Sequence, residues 1–278
     1  MKVKAAVLSE TGKPRPYANS LPLSIEEVEL DSPQSGEVLV QIKAAGLCHS
    51  DLVAVDGERA KPMPMVIGHE AAGIVCKLGP EVERLAVGDH VVTSYVASCG
   101  RCDMCQEGRP ALCHPATEAN KAGTLIDGTT RLHNNGQRIY HHSGVAAFSE
   151  HAVISQNALV KIDPKIPFEV AALFGCAVVT GVGSVVNTAK VSPGQSVAIV
   201  GLGGVGLNAL LASIASGAGK VIAVDVKENK LKIASQLGAH DTFNSTLENC
   251  VEQILDLTDG GVHFAFETAG VSPALDLA

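Results

Sequence analysis

Tryptophan is absent from the 278 residues, and aromatic side chains make up only 3% of them. Large rings cannot dominate the interior, so the core has to be built from Val, Ala, Leu and Ile. Buried parallel sheets flanked by helices have that composition. Positive charge is also scarce, with 21 Lys and Arg against 29 Asp and Glu for a formal net charge of −8. Such a balance argues against nucleic acid or an anionic membrane as a partner. Long unbroken apolar runs are missing too. No residue from Val191 to Gly219 is charged, yet Gly, Ser and Pro interrupt the run throughout, so it does not read as a transmembrane helix. The start, Met1-Lys-Val-Lys-Ala-Ala-Val-Leu, is too short an apolar run for a signal peptide and alternates like a strand. With no secretory signal, the eight cysteines point to a reducing compartment, the cytoplasm, and to metal ligation.

Hydrophobic residues make up 46% and charged residues 18%, a globular balance on a chain long enough for two domains. The densest chemical signal is Cys99-Gly-Arg-Cys102-Asp-Met-Cys105 followed by Cys113, a C-x2-C-x2-C-x7-C spacing. Four thiolates close a tetrahedral zinc shell with no open position, which suits a structural ion. Gly100, Gly108 and Pro110 supply the turns. The competing reading is two disulfides in a secreted loop. Bridges across such short spacers are strained, and nothing marks secretion.

Along the chain, residues 2–8, Ile25–Leu30, Val38–Ala44, Ile74–Leu78 and His90–Thr93 read as strands separated by Pro, Gly and Ser clusters. The front half is therefore expected to be a β barrel with long functional loops. Beyond about Ile166 the pattern becomes alternating β and α, hence a parallel sheet. Strands are expected at Ser196–Val200, Lys220–Asp225, Asp241–Asn244 and Val262–Glu267, with helices after the glycine loop, from Lys227 to Leu237 and around Leu247 to Leu257. A complete dinucleotide fold has six strands, so this half is expected to be incomplete.

Gly201-Leu-Gly203-Gly-Val-Gly206 follows the first of these strands and opens a helix. In that context the three glycines allow a tight turn, close approach of a pyrophosphate and helix–strand packing. The diphosphate rests on the helix N-terminus. Asp225 closes the next strand, where an acid can hold the ribose hydroxyls of NAD and repel a 2'-phosphate. Soft or borderline ligands also occur at Cys48, His69 and Cys176. Two thiolates and an imidazole leave zinc one free position, the arrangement of a catalytic site. Spacing alone does not join positions this far apart.

Taken together, Cys48-His-Ser-Asp51, Gly68-His-Glu-Ala-Ala-Gly73, Val87-Gly-Asp-His-Val91, the four-cysteine lobe, Gly175-Cys176 and Gly201–Gly206 with Asp225 resemble the zinc-dependent medium-chain alcohol dehydrogenases, in that family's order. The resemblance implies a GroES-like zinc-binding catalytic domain over 1–178 and a Rossmann NAD-binding domain over 179–278, its last strands absent. It implies two zinc ions and NAD as cofactors. Cys48, His69 and Cys176 would bind the catalytic zinc, and Cys99, Cys102, Cys105 and Cys113 the structural one. Asp51 would orient His69, Glu70 would lie behind the metal, and Ser50 would meet the substrate oxygen. His49, Thr180, Val205 and Lys230 would join Gly201, Gly203, Gly206 and Asp225 around the cofactor.

The implied reaction is NAD-dependent oxidation of a primary or secondary alcohol to an aldehyde or ketone, by a homodimer or homotetramer acting on a small molecule. Some relatives complete a proton relay with a histidine three residues after the serine, where this chain has Val53. Tyr95 and His142 lie near positions that line the substrate pocket in relatives, although His141 and His142 read equally as a solvated loop pair. Cys76 and Cys250 read as core fillers. A second reading within the fold is dehydrogenation of a thiol–aldehyde adduct of the S-hydroxymethyl glutathione type. The segment after the lobe, His114–Asn120, carries Glu118 and no arginine, which weighs against it. A third reading is a non-catalytic NAD-binding relative, which the presence of Cys48, His69, Cys176 and Ser50 weighs against.

Overall fold

The structure is a computed structural model that describes residues 1–278. The residues form two compact units, Met1–Cys176 and Ala177–Ala278. In the first unit, strands Lys2–Leu8, Leu23–Leu30, Leu132–Asn134, Gln137–His141 and Met65–Val66 close into a barrel. Alternation drives it: Val3, Ala5 and Val7 are at most 2% exposed, while Lys2 and Lys4 face out. A second sheet has the order Leu159–Lys161, His90–Thr93, Glu70–Leu78, Glu37–Gly46, His151–Ser155. Val38, Val40, Val75, Val91 and Ile154 fill its core. Arg131 and Glu37, ninety-four residues apart, tie the two sheets together. The guanidinium donates to both carboxylate oxygens at 2.8 and 2.7 Å, with both side chains buried.

Two register shifts, between Leu39 and Val40 and between Ile42 and Ala44, bend the strand Glu37–Gly46 along its length. That strand delivers Leu47 and Cys48 to the helix His49–Asp56, which ends at Gly57 in the left-handed region (φ +80°). This helix and another at His114–Ala122 lie where the sequence alone suggested loops. Cys76, read as a core filler, is exposed. Its strand is buried through Gly73 and emerges at its end, where Val75 stays inside while Cys76 and Lys77 face solvent.

The second unit is a parallel sheet in the order Asp241–Asn244, Lys220–Asp225, Ser196–Val200, Phe264–Glu267, the order of the first four strands of a doubly wound Rossmann arrangement. Its two central strands are buried on both faces. Val197 and Ile199 pack under the helix Gly204–Ala215, while Ala198 and Val200 pack toward the helix Cys250–Leu257. That last helix begins at Cys250 rather than near Leu247, because the Asn244 side chain captures the Thr246 amide in a turn. The final strand begins at Phe264 rather than Val262. No single helix of the chain is long and apolar enough to cross a membrane.

Candidate active site and cofactor sites

Three separate segments of the first unit converge. Cys48 caps the helix His49–Asp56, and Asp51 in its first turn reaches back to accept the Cys48 amide at 3.0 Å. His69 lies immediately before the strand Glu70–Leu78, its carbonyl held by the Thr93 hydroxyl at 3.0 Å. Cys176 ends a short helical turn where Gly175 packs against the Thr93 carbonyl so closely that a Cβ would clash at 2.6 Å. Sγ of Cys48 and Sγ of Cys176 stand 3.8 Å apart. Tetrahedral zinc at about 2.3 Å from each sulfur sets an S–S edge of about 3.8 Å. The three ligand atoms lie within 4.8 Å of one another, and Ser50 Oγ sits 3.2 Å from Cys48 Sγ and 3.3 Å from His69 Nε2.

The local field favours a cation at this point. The Cys48 thiol is held down to about 3 by hydrogen bonds from Cys176 and His69, against the cost of burial. Burial works to lower the His69 pKa, but the Asp51 and Cys48 acceptors push it up to about 9. Asp51 is buried, yet donors on His142 and His69 hold its carboxyl well below the usual range. An anionic carboxylate can only accept, so His69 donates from Nδ1 and sets Nε2 toward the sulfurs, the atom that would bind a metal in exchange for its proton. Glu70 is buried at the start of its strand, opposite Gly46 in the ladder.

The four lobe cysteines are also brought together, with Cys102 Sγ at 3.6 Å from Cys105 Sγ and 3.9 Å from Cys113 Sγ. Amide donors support them: Cys102 to Cys99 Sγ and Cys99 to Cys113 Sγ, both at 3.3 Å. Gly100 and Gly108 adopt positive φ at the turns. All eight cysteines are free thiols, and the lobe's donor set and spacing fit a zinc ion.

His141 and His142 are not a solvated pair. They are 0% and 5% exposed, because the strand Gln137–His141 closes the barrel against Met65–Val66. His142 donates from Nδ1 to Asp51 at 3.1 Å. Together with Ser50, Tyr95 and Cys176 it lines a cavity of about 300 Å³, to which Val53 also contributes. Arg59, Lys61 and Asn120 line the same cavity. Sequence reasoning missed these three, since only the fold brings them to the cysteines.

In the second unit, Gly201 takes φ +92° and Gly206 packs directly on the Gly201 carbonyl. A Cβ at Gly203 would meet nothing within 4 Å, which leaves open space beside the N-terminus of the helix Gly204–Ala215. A pyrophosphate fits that cradle by the dipole and the free amides. Asp225, buried at its strand end, accepts the Leu202 amide at 2.7 Å and the Lys227 amide at 2.9 Å, with Lys230 Nζ 3.7 Å away. Val205 lies in the first turn of that helix and Thr180 in the helix Ala177–Gly183. His49 is exposed at the start of its own helix in the first unit.

Comparison with known proteins agrees with this geometry. The family model described as "Alcohol dehydrogenase GroES-like domain" matches residues 34–167, and "Zinc-binding dehydrogenase" matches residues 204–278. An S-(hydroxymethyl)glutathione dehydrogenase of Synechocystis sp. is 41% identical over 273 residues, 97% of this chain and 72% of that protein. The Saccharomyces cerevisiae protein of that name is 40% identical over 261 residues, 91% of this chain and 68% of its own. Among solved structures, an alcohol dehydrogenase zinc-binding domain protein from Burkholderia ambifaria superposes with a TM-score of 0.92 at 37% identity, covering 100% of this chain and 73% of that one. Benzyl alcohol dehydrogenase from Acinetobacter calcoaceticus superposes with a TM-score of 0.90 at 36% identity and the same coverage. The chain belongs to the zinc-dependent medium-chain alcohol dehydrogenases, oxidoreductases whose cofactors are zinc and NAD.

Proposed function

We propose that the chain oxidises a primary or secondary alcohol to an aldehyde or ketone, with its alcohol site at Cys48, His69, Cys176 and Ser50. The observation that carries this reading is Ser50 Oγ, which lies within 3.3 Å of both Cys48 Sγ and His69 Nε2. A zinc ion held by such a ligand set would supply the Lewis acidity that lowers an alcohol's pKa, and bound NAD would supply the hydride acceptor. Cys48, His69 and Cys176 would hold that ion. Asp51 fixes the His69 tautomer, and Glu70 is assigned a place behind the metal. Ser50 receives the hydroxyl proton and passes it on, and Val53 ends any histidine relay at that point. Gly201, Gly203, Gly206 and Asp225 hold the dinucleotide, and His49, Thr180, Val205 and Lys230 are assigned to it with them. Cys99, Cys102, Cys105 and Cys113 keep a second, purely structural zinc.

The names of the relatives at about 40% identity favour a second reading, a thiol–aldehyde adduct as substrate. The benzyl alcohol dehydrogenase neighbour favours the first. Steady-state NADH formation with simple alcohols, with and without added glutathione, separates them. Turnover without the thiol is the expected result, and a rate that requires it overturns the alcohol reading. Assembly as a homodimer or homotetramer in the cytoplasm belongs to the same proposal. Sedimentation tests the assembly, and the eight free thiols support the reducing compartment.

A further inference from the structure

The cavity beside Ser50, His69 and Cys176 is also lined by residues of a different chemistry. Arg59 and Lys61 line it, and no aspartate or glutamate does. In a protein of net charge −8, two cations without an acid on the wall of one cavity is a local inversion of charge. Lys61 is half-buried, and its Nζ donates only to neutral acceptors, the Asn120 carbonyl at 2.9 Å and Asn120 Oδ1 at 3.2 Å. Asn120 is thereby a bracket that aims the ammonium and leaves its third proton unspent. Arg59 is exposed, two residues past the Gly57 helix cap, and neither cation forms an ion pair within the chain. Burial, reinforced by the Arg59 charge, pushes the Lys61 pKa down, the signature of a cation held without its counter-ion. A half-desolvated ammonium gains when an anion supplies the missing partner.

We propose that Arg59 and Lys61 form an anion subsite in the alcohol pocket, so that the preferred substrate carries a carboxylate remote from its hydroxyl. The assignment rests on the alcohol-site reading of Ser50, His69 and Cys176. A hydroxy carboxylate and the hydroxymethyl adduct of a carboxylate-bearing thiol both present that chemistry. Arg59 supplies the outer, solvated charge that draws the anion in, and Lys61 supplies the inner donor that fixes its depth.

The test is calorimetric titration of the zinc-loaded chain with 6-hydroxyhexanoate, 1,6-hexanediol and S-methylglutathione. It is made for the unaltered protein and for Lys61→Gln and Arg59→Gln, the latter at an exposed position that puts folding at no risk. The expected result is an affinity for the hydroxy carboxylate or the glutathione thioether at least tenfold above that for the diol. This preference shrinks toward parity in either variant and with rising salt. Whichever anion binds better identifies the source of the carboxylate. Equal affinity for anion and diol, or a preference untouched by both substitutions, overturns the subsite and leaves the alcohol-site reading standing. Lysine-dependent anion binding without any alcohol oxidation supports the subsite and sinks the dehydrogenase reading instead.

Discussion

Oδ1 of Asp51 stands 3.1 Å from Nδ1 of His142, the same distance at which it takes Nδ1 of His69. The Gly68 amide is a third donor to that oxygen, also at 3.1 Å. One buried carboxylate therefore fixes the ring of His69, the proposed zinc ligand, the ring of the cavity-lining His142 and the backbone at Gly68. Replacing it by asparagine removes the charge that both imidazoles see. Asp51→Asn is expected to weaken catalytic zinc about ten- to a hundredfold while the four-cysteine lobe keeps its ion. Zinc content by mass spectrometry after graded chelator dialysis reads both sites, and retention of both ions at every chelator level counts against the assignment.

Asp225 uses both oxygens on backbone amides, so a substitution that reports on cofactor choice must spare as much of that bonding as it can. Asp225→Asn removes the charge and keeps one acceptor, giving up one of the two amide bonds, so the readout is the ratio between cofactors rather than an absolute rate. The ratio of kcat/KM with NAD to that with NADP is expected to fall at least tenfold, about 1.4 kcal/mol. An unchanged ratio means the carboxylate serves the loop alone.

The Arg131–Glu37 pair joins two sheets from inside. Removing the guanidinium strands a carboxylate in the interior, which costs about 3–5 kcal/mol when one partner of a buried pair is lost. Guanidinium chloride denaturation of Arg131→Met is expected to show a loss of that size. A change below about 1 kcal/mol is within the range of exposed pairs and contradicts the role.

His141 is fully buried, accepts the Arg131 amide at Nε2 at 3.1 Å, and leaves Nδ1 without a partner. Burial, with the Arg131 charge adding to it, pushes its pKa down to about 4. The folded state therefore holds the ring neutral where the unfolded chain protonates it, near pH 6.5. Its contribution is complete above pH 6.5 and is lost as pH falls toward 4, on the order of 3 kcal/mol in all. His141→Gln keeps an acceptor for the amide, and the difference in stability slope between the two proteins over pH 6.5 to 4 isolates the histidine. Parallel slopes contradict its burial as a neutral ring.

Much of this is legible in the sequence. The C-x2-C-x2-C-x7-C lobe and the strand–glycine-loop–strand–Asp225 unit are short-range patterns, because covalent spacing alone restricts where their atoms can go. Cys48, His69 and Cys176 were joined only through a family resemblance, since nothing local couples positions 21 and 107 residues apart. The burial of His142 was not legible. It depends on the barrel closing through Met65–Val66 and Gln137–His141, a long-range parallel pairing inside an otherwise antiparallel sheet. Cys76 failed for the opposite reason, a small apolar residue where its strand emerges into solvent. Arg59 and Lys61 carried no pattern at all, because what marks them is the absence of acids around one cavity.

The motif glycines divide the labour of the second unit unequally. Gly206 is pressed on the Gly201 carbonyl, so a methyl group there forces helix and strand apart. Gly203 faces empty space with an ordinary backbone (φ −84°), so a methyl group there costs the folded chain little. Folding and ligand recognition are thus separable at the scale of a single carbon atom. Gly203→Ala is expected to yield a chain that melts like the parent yet no longer retains NAD, a matched blank against which every cofactor-dependent signal of this protein can be subtracted.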